Sequence, residues 1–171
     1  MAIKKLKPQG IKYLKIIHLI TACMWIGGGI ALIVILCFIR PTTPEGYYVR
    51  SLSAKLIDDF IIIPGAVGLF ITAVIYSIWS NWGFFKYRWI TVKWIMIIVQ
   101  TILGTAIGLL WVNTNIFVPE DMNNYIVMRE TVANNVLQTI IWGTVQTVCL
   151  LVVIWISVVK PWKKKKSNEQ P

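Results

Sequence analysis

Long apolar runs alternate with short polar stretches along the chain. Four runs stand out: Ile16 to Ile39, Phe60 to Trp79, Trp89 to Val112 and about Thr131 to Val159. Each is long enough to cross the hydrocarbon core of a bilayer, which takes about 20 helical residues. In lipid only helices and closed barrels pair every backbone N–H and C=O, and barrel strands are short and alternating. These runs are long and continuous. The pattern predicts an all-α, integral-membrane four-helix bundle, with residues 1–171 as a single membrane domain and a basic tail over 160–171.

At 100° per residue each run has one polar-and-small stripe. In the first, His18, Thr21, Ala22, Trp25, Gly28, Gly29 and Leu32 share a face and Gly27 lies opposite. The second groups Gly65, Gly68, Thr72, Tyr76 and Trp79, just after Pro64. The third groups Lys93, Gln100, Gly104 and Trp111, with Gly108 slightly off. The fourth groups Asn135, Gln138, Thr139, Trp142 and Gln146. These stripes are expected to face the bundle. Small residues let helices approach, and Gln100, Asn135, Gln138 and Gln146 are expected as polar groups between helices, with Gln100 and Gln146 paired near mid-membrane.

Between runs, "RPTTPEGYY" opens the first outer loop with helix breakers, and "VRSLSAKLIDDF" is expected to lie on the membrane surface. "SNWGFFKYRW" makes a tight hairpin whose Trp82, Tyr87 and Trp89 suit an interfacial aromatic belt. The second outer loop, from about Asn113 to Glu130, is acidic and asparagine-rich. No tandem repeat or large extramembrane domain is visible.

Composition agrees with the pattern: 57% of the residues are hydrophobic and 14% charged. The net charge of +10 is a topology signal and not a nucleic-acid footprint. Thirteen Lys and Arg residues lie before the first run, after the fourth, or around the middle loop, against four in the other two loops. Both termini are therefore expected in the cytoplasm. The Lys163–Lys166 run is placed against anionic headgroups. A signal peptide is disfavoured, since the first apolar run is long and no small-x-small site follows it. Cys23, Cys37 and Cys149 stand singly and form no metal or disulfide pattern.

The candidate chemistry rests on His18, the single histidine, and on Lys93. Ionisable groups inside spans are costly and often functional. Both lie roughly 5–8 Å below the same surface at 1.5 Å per residue. For His18 three readings stand side by side: a structural hydrogen bond, ligation of haem or a metal, and proton handling. Lys93 either snorkels to the headgroups or pairs with an acidic group on a ligand. A neutral imidazole can hold haem iron and a glycine face can admit a flat macrocycle. One histidine cannot supply two axial ligands, so a dimer, a methionine such as Met24 or Met96, or an open position is implied.

The series "HLITACMWIGG", "PGAVGLFITA", "RWITVKW" and "VVKPW" resembles a small bacterial integral-membrane family related to the CopD-type copper-resistance domain. It is more distantly similar to HemJ-type protoporphyrinogen oxidases. The latter resemblance implies haem or porphyrin near His18, with Lys93 nearby. Val34 stands where that family has an arginine. Copper handling is implied by the former, but no second histidine or methionine pair is present to hold Cu(I). The expectation is a bacterial inner-membrane protein whose bundle cavity binds haem b or a porphyrin. His18 would be the ligand to the metal, Trp25 would pack on the macrocycle, Gly28 and Gly29 would admit it, and Lys93 would pair with its acid. The alternative is a non-catalytic transport or accessory subunit in the lipid bilayer, joined as a homodimer or to a membrane partner through its glycine faces. Catalysis is left open.

Overall fold

Helix starts and stops are set locally. Pro8 occupies the first turn of α1 (Pro8–Phe38), where a missing N–H costs nothing. The helix ends just before Pro41, as the residue preceding proline leaves the helical region. Thr43 then caps α2 (Pro44–Ile57): its hydroxyl accepts from the Gly46 N–H at 3.2 Å, with Pro44 and Glu45 in the first turn. A π-helical turn, Asp58–Ile62, joins α2 to α3 (Ile63–Trp79). After a turn in which Gly83 takes φ +64, α4 (Arg88–Ile107) runs into a second π-helical turn, Gly108–Val112. The long α5 (Met122–Val159) closes the chain, ending at Lys160 with φ 50 immediately before Pro161. The computed structural model describes residues 5–80, 83–113 and 122–162 and shows no strand among them.

Four helical segments are long and apolar enough to cross a membrane: Pro8–Phe38, Pro44–Trp79, Arg88–Val112 and Arg129–Val159. The protein is an all-α four-helix bundle, a multi-pass membrane protein by length and composition. With four crossings, both described ends and the Gly83 turn fall at one end of the bundle, called here the inner end. The α1–α2 connection and the start of α5 fall at the other, the outer end.

Two expectations about the outer end are corrected. The "VRSLSAKLIDDF" stretch does not lie flat, since it forms the end of α2 and continues through the π turn into α3. Pro64 does not break that helix, because the wide turn immediately before it makes room for the ring. There Ile63 N–H reaches the Asp58 carbonyl, one residue further back than in an α-helix. Helix α5 likewise begins at Met122, inside the stretch expected to be loop. The remainder of that loop, Trp82, and the Lys163–Lys166 run with its tail lie outside the described residues.

The core is layered along the bundle. Leu32, Leu36, Ala54 and Val136 pack at the outer end. Trp25, Leu69 and Leu150 pack in the middle, and Trp89, Ile90 and Ile156 at the inner end. Helix α1 packs against α3 and α5, and α4 packs against α5. Packing between α3 and α4 is slight among the described residues, although they are consecutive; Phe70 and Trp94 touch edge-on near the inner end. Most stripe residues face inward as the periodicity requires. Trp79, the last residue of α3, and Trp142 are exceptions, 38% and 40% exposed; on α5 the buried stripe runs through Val136, Thr139 and Leu150 instead. Trp89 departs from the belt expectation: it is buried, with the Lys93 and Lys160 ammonium groups 5.0 and 5.6 Å from its ring centre.

Candidate functional site

At the inner half all four spans contribute to one polar layer. His18 from α1 puts Nδ1 2.7 Å from the Thr72 hydroxyl of α3. That hydroxyl also lies 2.7 Å from the Gly68 carbonyl. A hydroxyl carries one hydrogen. When Thr72 donates it to Gly68, it accepts from His18 Nδ1–H, which leaves Nε2 as the nitrogen with a free lone pair. Tyr76 of α3 stands edge-on to the imidazole with ring centres 5.7 Å apart, and its hydroxyl reaches the Ile11 carbonyl at 3.3 Å. From α4, Lys93 donates to the Ser157 hydroxyl of α5 at 3.2 Å, in the same inner half of the bundle.

The charge balance of this layer is one-sided. Of the seven acidic residues, Glu45, Asp58, Asp59, Glu120, Asp121 and Glu130 belong to the outer half of the sequence pattern and Glu169 to the tail. No span places a carboxylate near Lys93. Its ammonium is instead accommodated by a neutral hydroxyl and the face of Trp89, a cation–π contact.

Mid-membrane, Gln100 of α4 and Gln146 of α5 clasp each other's backbone. Gln100 Nε2 donates to the Gln146 carbonyl at 2.7 Å, and Gln146 Nε2 donates to the Gln100 carbonyl at 2.9 Å. Asn135 and Gln138 are half-buried on α5, and the Asn135 carbonyl accepts from the buried Thr139 hydroxyl at 2.8 Å.

Beyond this clasp, toward the outer end, a cavity of about 280 Å³ opens between α3 and α4. Trp25 and Gly29 of α1 and Gly143 of α5 contribute to its floor, and Asp58 and Asn113 stand at its outer end.

The residues expected around one cofactor are thus divided. His18 and Lys93 share the inner layer. Trp25 and Gly29 border the outer cavity, with Trp25 packed on Leu69 and Leu150. Gly28 supplies no space for a macrocycle, since a methyl group there would sit 2.7 Å from Ile62 Cγ1 and 3.1 Å from Ile61 Cγ2. The glycine faces serve contacts within the chain: Gly65 meets the Trp25 backbone, Gly68 meets Thr21, and Gly104 meets Gln146. Only Gly27 among the span glycines has nothing within 4 Å of such a methyl. For haem, the donor chemistry of His18 Nε2 and the cation of Lys93 fit a ligand to iron and a partner for an acid; Gly28 does not fit the admitting role, and Gly29 opens on the outer cavity instead. No group of three or more His, Cys, Asp or Glu side chains able to hold a bare metal occurs among the described residues.

Thr72, Ser157 and Asp58 join the site without a signal in the sequence that marks them for chemistry. Thr72 stands on the inward stripe of the second run, where its residue type alone does not distinguish packing from chemistry. Ser157 carries only its place one turn before Lys160, and Asp58 only its place at the edge of an apolar run. Comparison with protein families, curated proteins and solved structures gives no match.

Proposed function

We propose that this is a small protein of the bacterial inner membrane, with both ends in the cytoplasm, that binds an acid-bearing amphiphile at the His18–Lys93 layer. Haem b, or a porphyrin of the same kind, is the leading ligand. The observation that carries this reading is the Lys93 ammonium inside the bundle with no span carboxylate to balance it. A buried cation is costly in hydrocarbon, and an acidic group on a ligand offsets that cost. Thr72 fixes the imidazole so that Nε2 is the nitrogen available to a ligand, as hydrogen-bonded partners do for metal-bound histidines. Bound haem would supply a redox-active iron; this chain's part is to orient His18, pair Lys93 with an acid and keep the layer shielded under Trp89. The resemblance to CopD-type and HemJ-type proteins is compatible with such a ligand and adds no residue to the site. A transport or accessory role through glycine-faced assembly would have to use Gly27, the one span glycine left open on the lipid side.

The test is a visible spectrum of the detergent-purified protein, oxidised and then reduced with dithionite, before and after adding haem. Binding through His18 predicts a Soret band that shifts on reduction and vanishes in His18→Ala. Lys93→Gln should weaken haem binding by about ten-fold, as loss of one charge-assisted contact implies. A spectrum that stays flat with added haem overturns the haem reading.

A further inference from the structure

The outer cavity plays no part in the chemistry assigned to His18 and Lys93, and its shape and charge describe a different ligand. Its lining runs along α4 from Gln100 to Asn113 at the outer end, roughly 20 Å at 1.5 Å per residue. Its rim is formed by Val67 on α3 and Thr101 and Thr105 on α4, all exposed on the face of the bundle that meets lipid. The opening exists because α3 and α4 scarcely pack against each other there, each being held to the rest of the bundle through α1 or α5. The walls are mostly apolar, through residues such as Ile62, Ile63, Leu109 and Val112.

One charge stands in this apolar slot. Asp58 lines its outer end, and a methyl group at Gly108 on the opposite wall would lie 3.1 Å from Asp58 Oδ2. The neighbouring cation, Lys55, stands at the same outer end but is bonded to other partners: its Nζ is 2.7 Å from Asp59 Oδ2 and 2.8 Å from the Asn113 side-chain oxygen. Among the described residues no hydrogen bond or ion pair reaches the Asp58 carboxylate. Both walls leave the α-helical pattern where they flank it, at Asp58–Ile62 and Gly108–Val112. Single π turns of this kind are frequent at binding sites, where they re-aim side chains. An anion at the edge of hydrocarbon, facing a long apolar slot that is open sideways, is complementary to a cation carried on an alkyl chain.

We propose that the cleft between α3 and α4 is a lateral binding site for a long-chain amphiphilic amine, its ammonium at Asp58 and its chain laid toward Gln100. The ligand enters from the outer half of the bilayer, between Val67 and Thr105. This site is independent of the inner layer and stands whether or not haem binds there.

Calorimetric titration of the full chain in a neutral detergent with dodecylamine, dodecanol and dodecanoate at pH 7 tests the assignment. Dodecylamine should bind about ten-fold or more tightly than dodecanol, the difference one charge-assisted contact supplies, and dodecanoate least. Asp58→Asn should abolish that preference while leaving the alcohol unchanged, and Glu45→Gln should preserve it. Thr105→Trp, which fills the rim without touching Asp58, should remove binding of all three. Equal binding of amine and alcohol to the unmodified protein would reduce the cleft to an apolar groove and overturn the proposal. So would an amine preference that survives Asp58→Asn, or binding unaffected by Thr105→Trp. If Asp58→Asn does not fold, the amine–alcohol comparison and Thr105→Trp decide the matter.

Discussion

A methyl group added at Gly65 would lie 2.7 Å from the backbone nitrogen of Trp25, and a backbone atom in a packed helix cannot move aside cheaply. At Gly27 the same methyl would meet nothing within 4 Å. The two substitutions should therefore differ in sign. Gly65→Ala is expected to cost about 1–3 kcal/mol through overpacking. Gly27→Ala is expected to gain up to about 1 kcal/mol from helix propensity alone. Thermal unfolding in detergent, followed by tryptophan fluorescence, measures both; a destabilised Gly27→Ala would show that its open face is covered by another chain. At this scale the sequence is informative about which positions are special and silent about why. The stripe singles out Gly28 and Gly65 alike, but their spacing does not say whether the room they leave goes to a ligand or to a neighbouring helix. Here Ile61 and Ile62 take the room at Gly28, and α1 takes it at Gly65.

Between elements, the Gln100–Gln146 clasp joins α4 to α5, the span against which α4 chiefly packs. Each amide donates to the other helix's carbonyl, so losing one side chain leaves the other with its donor bond intact but the pairing halved. Gln100→Ala and Gln146→Ala should each cost about 0.6–2 kcal/mol. Their combined effect should fall short of the sum, since the two residues share one contact region. A double-mutant cycle on thermal stability reads that coupling, and strict additivity would show that the two bonds act independently. The spans themselves and their inward faces could be read from periodicity, because lipid leaves a helix no other way to pair its backbone. The π turns could not. The one before Pro64 arises where the ring meets a helix that α2 and α3 extend from both sides, a tertiary compromise that no local pattern announces. The cleft was equally hidden, since periodicity says which face of α3 and α4 turns inward and not which neighbour each will choose.

For the whole molecule, the distribution of lysine and arginine predicts that the inner end faces the cytoplasm. Single cysteines introduced as Glu45→Cys at the outer end and Phe85→Cys at the inner end, both exposed positions, check this in a background where Cys23, Cys37 and Cys149 are replaced. A membrane-impermeant maleimide should label the first in intact spheroplasts and the second only after lysis; the reverse pattern would place both termini outside. The same orientation sets the two proposed sites on opposite leaflets. The His18–Lys93 layer would then meet acids from the cytoplasmic side and the Asp58 cleft would meet amines from the other.

The slight packing between α3 and α4 also bears on how the protein is made. Spans leave the insertion machinery in order, and a helix that emerges beside an unsuitable neighbour must wait for a better one. Helix α4 finds its principal contacts on α5, which is synthesised after it. Until that span arrives, the third is a provisional passenger, with Gln100 exposed to hydrocarbon and nothing to clasp. A chain interrupted before α5 would leave that glutamine and the open flank of α4 uncovered, so completion of the bundle waits on this 38-residue helix.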